Sequence, residues 1–300
     1  MSLISEKRRD FHRQLLVRQV LAFAPAKDSS LVASIADTGQ KSSKEIAARL
    51  LNKLADGIGF SFPTMRAKKK GQTLGNEFEE LCAEFVSQTF LNLQILRPGH
   101  WQVLQVKSRS EAVLGGFEQY SHLAELARLA AENAEIKNFM GDGYTVSPDV
   151  IVARIPEPDE AINTSDLIVD SEFSSHTMLR AANHPNPTAP LPLLHASISC
   201  KFTMRSDRAQ NTRTEALNLI RSRKGRTPHI ISITAEPMPS RIASLALGTG
   251  DLDCVYHIAL DELIETLEEL ERDDALDSIR SMVEGKRLKD ISDLPLDLAI

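Results

Sequence analysis

Three hundred residues, 42% hydrophobic and 25% charged with a formal net charge of −6, describe an ordinary soluble chain, long enough for one large α/β domain or two small ones. No apolar run approaches the ~18 residues of a membrane span. Residues 1–19 are charged throughout and lack an apolar signal core, so the cytoplasm is the expected location.

In chain order, residues 71–76 predict a loop leading into an amphipathic helix from 76 to about 91, where Phe78, Leu81, Cys82, Phe85 and Val86 recur at helical spacing. Residues 120–136, rich in Ala, Leu and Glu, predict a second helix. Residues 146–155 carry the β-branched enrichment of a strand, interrupted early by Pro148. The proline-rich run 184–190 predicts a surface loop. Residues 191–202 form the next strand candidate and 212–223 the next helix, followed by strand candidates at 230–234 and 254–258. Leu260, Leu263, Ile264, Leu267 and Leu270 mark an acidic amphipathic helix. Alternating strands and helices predict an α/β fold, a sheet with helices on its faces, in a single domain over residues 1–300 with no internal repeat.

Motif absences narrow the chemistry. Cys82, Cys200 and Cys254 are too scattered for a disulfide framework or a cysteine zinc site. There is no His-Glu-x-x-His, no Gly-x-Ser-x-Gly, no phosphate-binding glycine loop and no dinucleotide fingerprint. The charge is also uneven. Residues 259–300 hold thirteen acidic and five basic side chains, whereas residues 201–226 hold eight basic and two acidic ones. A local balance of +6 suits a phosphate-binding face, although a solvated helix face produces it too.

Strand alternation places Ser197, Ser199 and Lys201 on one face and Ile198, Cys200 and Phe202 on the other. Asp149, directly after Pro148, supplies the carboxylate that such a polar strand end would need. Phosphodiester hydrolysis calls for a hard cation held by oxygens, a water activated in line with the leaving oxygen, and stabilisation of the developing charge. In that chemistry Asp149 ligates metal, the Cys200 main-chain carbonyl is a second ligand, and Lys201 positions the water and neutralises charge. Pro-Asp, a gap, then acid-x-Lys is the pattern of the PD-(D/E)xK nucleases, which the chain resembles with one departure: Ser199 stands in the acid position. Glu215, early on the following predicted helix, can return the missing carboxylate, and Glu79, among core residues Phe78 and Cys82, is a further candidate acid. Read singly, each is better explained without chemistry, Asp149 as a turn or capping residue and Lys201 as a snorkelling strand-end lysine.

Arg205-Ser206-Asp207-Arg208 follows the lysine closely. Arginine bonds guanine O6 and N7 bidentately and aspartate accepts from cytosine N4, so this cluster can read neighbouring G·C pairs in the major groove. A surface Arg–Asp turn is the plainer alternative.

Longer runs carry a more specific resemblance. Ser197-Ile198-Ser199-Cys200-Lys201, the 205–211 run, Arg223-Lys224-Gly225-Arg226, Thr234-Ala235-Glu236-Pro237, Pro239-Ser240-Arg241-Ile242, and the runs 247–250, 253–257 and 285–298 resemble the NgoMIV family of type II restriction endonucleases, CCGG-core enzymes of the same nuclease superfamily. Gly71-Gln72-Thr73, Phe78-Glu79 and Pro148-Asp149 extend the match toward the N-terminus. The resemblance implies a restriction-endonuclease-like fold, a central mixed β-sheet flanked by α-helices. It further implies a magnesium-dependent homotetramer, a dimer of dimers, cutting double-stranded DNA at a palindromic CCGG-core site (G^CCGGC) to leave four-base 5′ overhangs. A cognate DNA methyltransferase is expected in the same system. Catalysis falls to Glu79, Asp149, Ser199, Lys201 and Glu215, with metal on Asp149, Glu215 and the Cys200 main chain. Core base readout falls to Arg205, Asp207 and Arg208, the outer pair to Arg241 and Asp37, and the minor groove to Gln72. Residues 38–70 and 184–190 match the family poorly, and Asp37 borders the first of these.

Two other readings compete. A superfamily nuclease of DNA repair or junction resolution has no need of a base-reading cluster. A non-catalytic DNA-binding protein on the same fold has no need to keep Glu79, Asp149, Lys201 and Glu215 together.

Overall fold

A computed structural model of the chain describes residues 1–26, 30–62, 69, 71–107, 112–133, 148–204, 206–248 and 250–300, without the side chains of 112, 113 and 206–209. The main elements are α1 (Leu3–Val17), β1 (Phe23–Pro25), β2 (Leu31–Ala33), α2 (Lys41–Ile58), α3 (Gly71–Phe90), β3 (His100–Gln105), α4 (Ser121–Glu132), β4 (Val150–Ile155) and β5 (Leu193–Lys201). They continue with α5 (Ser206–Ser222), β6 (His229–Thr234), α6 (Pro239–Ala246), β7 (Cys254–His257), α7 (Leu260–Glu269), α8 (Asp273–Glu284) and β8 (Leu288–Asp290). β1 and β2 form a small ribbon. The other six strands make one sheet in the order β3-β4-β5-β6-β7-β8, with β3 antiparallel to β4 and with β6, β7 and β8 parallel. The expected α/β architecture, a mixed central sheet with flanking helices, is the one the chain adopts.

The chain divides into two compact units, one of Met1–Asn92, Ile198–Arg213 and Ile230–Ile300, the other of Leu93–Ser197 and Thr214–His229. In the first, α1 packs on α3, α2 on α7 and α6 on α8. Helix α1 is absent from the sequence reading because its composition is so charged. It folds because Phe11, Leu15 and Leu16 recur at helical spacing and are buried, while the Ser2 hydroxyl caps its start by accepting from the Ser5 amide. The expected loop at 71–76 is instead the first turn of α3. Leu74 lies one turn before Phe78 and is buried with it, and burying a leucine, at roughly 1.5–3 kcal/mol, outweighs the roughly 1 kcal/mol that Gly75 costs a helix.

Helix α5 likewise begins at Ser206, well before the expected residue 212. Ser and Asp are residue types common at helix starts, so a stretch that reads as a polar loop becomes a first turn. Glu215 therefore lies mid-helix, not early in it. Strands β5, β6 and β7 and helix α7 fall within about two residues of their expected bounds. The beginning of the strand expected at 146 lies outside the described residues, and β4 is observed from Val150.

In the second unit, β3 and β4 pair Trp101 with Arg154, and the guanidinium groups of Arg97 and Arg154 lie over the Trp101 ring, 5.6 and 5.4 Å from its centroid. Gln119 closes on the start of β5 with both ends of its amide, Nε2 donating to the Leu194 carbonyl at 2.8 Å and Oε1 accepting from the Leu194 amide at 2.9 Å. The buried Tyr120 hydroxyl donates to the Leu219 carbonyl on α5 at 3.1 Å. The run 184–190 is irregular, as three prolines require. All three cysteines are buried and unbonded to one another, and among the described residues no helix is long and apolar enough to cross a membrane.

Candidate active site

Strand β5 is buried on both faces along its last turns: Ser197 and Ser199 on one side, Ile198 and Cys200 on the other. Lys201 closes the strand and is half-buried. Two hydroxyls of β6 hold this end of β5, Ser232 Oγ donating to the Ser199 carbonyl at 3.0 Å and Thr234 Oγ1 to the Lys201 carbonyl at 2.8 Å. The Ser199 hydroxyl is itself buried, with no hydrogen-bond partner among the described residues. An orphaned polar atom therefore occupies the position where the nuclease pattern has an acid. Phe202, next to Lys201, packs edge-on against Phe78 with ring centroids 5.5 Å apart, so α3, which carries half-buried Glu79, is joined to the end of β5. Gln72 is exposed on the first turn of that helix.

Asp149 and Glu215 belong to the second unit. Asp149 is half-buried immediately before β4, and its carbonyl accepts from the Val106 amide at 2.9 Å, which prolongs the β3–β4 pairing and fixes the backbone at this residue. Glu215 is half-buried on α5, the helix that Tyr120 ties down. Among the described residues no three His, Cys, Asp or Glu side chains form a ready cluster of metal ligands.

Of the base-reading residues, Arg205 lies outside the described residues, as do the side chains of Asp207 and Arg208, whose backbone forms the first turn of α5. Asp37 and Arg241 are 204 residues apart in sequence, and the fold brings them into a direct ion pair. The Asp37 backbone is set by its amide donating to Ser43 Oγ at 2.9 Å, and its Oδ1 accepts from the Gly39 amide at 2.9 Å. Arg241 sits on α6, whose first residue, Pro239, is pre-shaped for a helix start, and its Nη1 donates to the Met204 carbonyl at 3.1 Å.

One acid at this place was given no role by the sequence reading. Glu236 is fully buried just after β6, and its carboxylate accepts from the Met204 amide at 2.7 Å and the Met238 amide at 3.1 Å. Burial pushes its pKa up, against the pull of the two amides and of Arg241. The available signal was an acid between the end of an apolar strand and a Pro-initiated helix, in Thr234-Ala235-Glu236-Pro237.

Comparison with known proteins converges on one family. The family model described as NgoMIV restriction enzyme matches residues 11–300. The type II restriction enzyme NgoMIV of Neisseria gonorrhoeae is 49% identical over 298 residues, covering 99% of both chains. Among solved structures, the complex of restriction endonuclease PspGI with substrate DNA aligns with 99% of this chain and 92% of its own, at 12% identity and a TM-score of 0.28, too loose a superposition to bear on fold or function. With nearly the whole length matched at that identity, the chain belongs to the NgoMIV restriction enzyme family and is a restriction endonuclease.

Proposed function

We propose that this endonuclease hydrolyses phosphodiester bonds of double-stranded DNA at a palindromic CCGG-core site, G^CCGGC, with magnesium, leaving four-base 5′ overhangs. The observation that carries the outer base pair is the Asp37–Arg241 pair. In the major groove a G·C pair presents the O6 and N7 acceptors of guanine beside the N4 donor of cytosine, so an arginine and an aspartate held side by side match it. Arg205, Asp207 and Arg208 would read the core in the same way, and Gln72 would address the minor groove.

The donor set suits magnesium. The carboxylates of Asp149 and Glu215 and the main-chain carbonyl of Cys200 are all oxygens, and a cation that keeps several waters does not require a larger cluster of side chains. The buried, orphaned Ser199 hydroxyl fits a site that holds ordered water. When bound, the ion lowers the pKa of its water and offsets phosphate charge. Lys201 Nζ orients the attacking water and neutralises the charge that builds on the phosphate oxygens, and Glu79 supports the site as a further acid. A palindromic site is read by a two-fold dimer in which each protomer cuts one strand, and two dimers would make the homotetramer. A partner DNA methyltransferase would protect the host.

Incubation with a plasmid carrying one GCCGGC sequence, with magnesium or with EDTA, tests this reading. Linear product only with magnesium is expected. Intact plasmid in both reactions, or a random smear, overturns it. Lys201→Ala should bind the duplex while cutting it roughly 10²–10⁴-fold more slowly, and undiminished cutting removes the lysine from the mechanism.

A further inference from the structure

Glu236 stands at a junction that none of the proposed catalytic or base-reading roles includes. Each of its carboxylate oxygens holds a different peptide. Oε2 accepts from the amide of Met204, the residue immediately before Arg205. Oε1 accepts from the amide of Met238, the residue that precedes the first turn of α6 and so sets the start of the helix carrying Arg241. Arg241 closes the loop by donating to the Met204 carbonyl, with its Nη1 3.9 Å from Glu236 Oε2. The Glu236 backbone continues the connection in the other direction: its amide donates to Thr234 Oγ1 at 3.1 Å, and that hydroxyl donates to the Lys201 carbonyl at 2.8 Å. All of these groups lie within the first unit, and Glu236 has no exposed surface.

We propose that Glu236 is a positioning residue that holds the Lys201–Met204 exit of β5 in register with Arg241, so that the lysine and the outer-pair reader are set by one buried carboxylate. The proposal rests on the roles given above to Lys201 and Arg241. A carboxylate is required by the count of donors. Two amides arrive at two oxygens, so glutamine, with one oxygen and one NH₂, must set a donor against a donor at one of them. A buried acid of this kind is costly to maintain unless both oxygens are satisfied, and here they are.

Glu236→Gln is the direct test, read three ways: unfolding in urea, single-turnover cleavage of a duplex carrying the site, and binding in EDTA to that duplex against one changed only at the outer pair. A folded E236Q protein should cut at least about tenfold more slowly per folded molecule and lose at least about tenfold of its outer-pair discrimination. Wild-type cleavage and discrimination per folded molecule overturn the proposal, because a merely structural role would lower only the folded fraction. Thr234→Val removes the hydroxyl that joins the Glu236 amide to the Lys201 carbonyl, leaves both carboxylate contacts of Glu236 in place, and decides the matter if E236Q does not fold. It should slow single-turnover cleavage with the outer-pair preference kept, and an unchanged rate overturns the proposal. Arg241→Ala and Lys201→Ala serve as controls. Undiminished outer-pair discrimination in the first, or undiminished cutting in the second, overturns the roles on which the proposal rests. Normal control phenotypes beside a wild-type E236Q overturn the proposal alone.

Discussion

Arg8 on α1 and Arg241 on α6 each face two carboxylates of the first unit, but they use their guanidinium groups differently. Arg8 donates from Nε and Nη2 to Asp290 and from Nη1 and Nη2 to Glu262, at 2.6 to 2.8 Å, and its side chain is 17% exposed. Burial works against its charge, yet the two carboxylates outweigh burial and raise its pKa; the same contacts draw both acids below their ordinary values. Arg241, 22% exposed, donates to Asp37 and to the Met204 carbonyl, while Glu236 lies beyond hydrogen-bond reach at 3.9 Å. The rest of its planar fork has no partner among the described residues. A fork with four of its five N–H donors on carboxylates is committed to the fold, joining α1 to α7 and to the end of β8. An unsaturated one, held through one bond from each terminal nitrogen, keeps further N–H donors that can address a base edge.

Removing each arginine should separate the two uses. Arg8→Ala leaves Glu262 and Asp290 as largely buried, uncompensated carboxylates, and the expected loss is about 3–5 kcal/mol of unfolding free energy in urea titrations. Outer-pair discrimination per folded molecule should be unchanged, and a change there would mean that the two arginines cannot be separated as proposed.

Acid titration sharpens the same contrast. The folded pKa values of Glu262 and Asp290 are depressed, so their contribution is complete above the unfolded values of about 4 and is lost as pH falls through the lower folded values. Unfolding free energy should therefore drop more steeply below about pH 4 in the wild type than in Arg8→Ala. Parallel curves would show that the pairing with Arg8 is not what depresses these acids.

Arg241→Ala should have the smallest effect on stability and the most selective effect on recognition. The expected loss is about 1–3 kcal/mol of discrimination at the outer base pair, measured by competition between duplexes, with a smaller stability loss than Arg8→Ala. A uniform loss of affinity across all duplexes would mark Arg241 as a phosphate contact instead.

Much of the candidate site's placement on strands and helices was legible because those signals are local. The two-residue alternation of 197–202 predicted which side chains share a face of β5, and the helical spacing of Phe78, Leu81, Cys82 and Phe85 predicted the helix that carries Glu79. Element starts were less legible where polar or glycine residues lead into a helix, as at Gly71 and Ser206, because such residues read as loop by local propensity, which burial of Leu74 and Phe78 outweighs at the first of them. The charged N-terminus hid α1 altogether, since its apolar stripe has meaning only against α3.

By itself, the sequence determined the residue types available for the chemistry, the positions of β5, β6, β7 and α7, and the family, because periodicity and motif spacing are properties of neighbouring residues. The tertiary structure alone decided that Asp37 meets Arg241 and that Arg8 binds Glu262 and Asp290. It also decided that one buried carboxylate, Glu236, holds the amides of Met204 and Met238. Pairs so distant along the chain have no local signature. Each forms only when packing of the whole unit draws the acid out of bulk water, wholly or in part, and brings an arginine or a backbone amide from a distant segment to it.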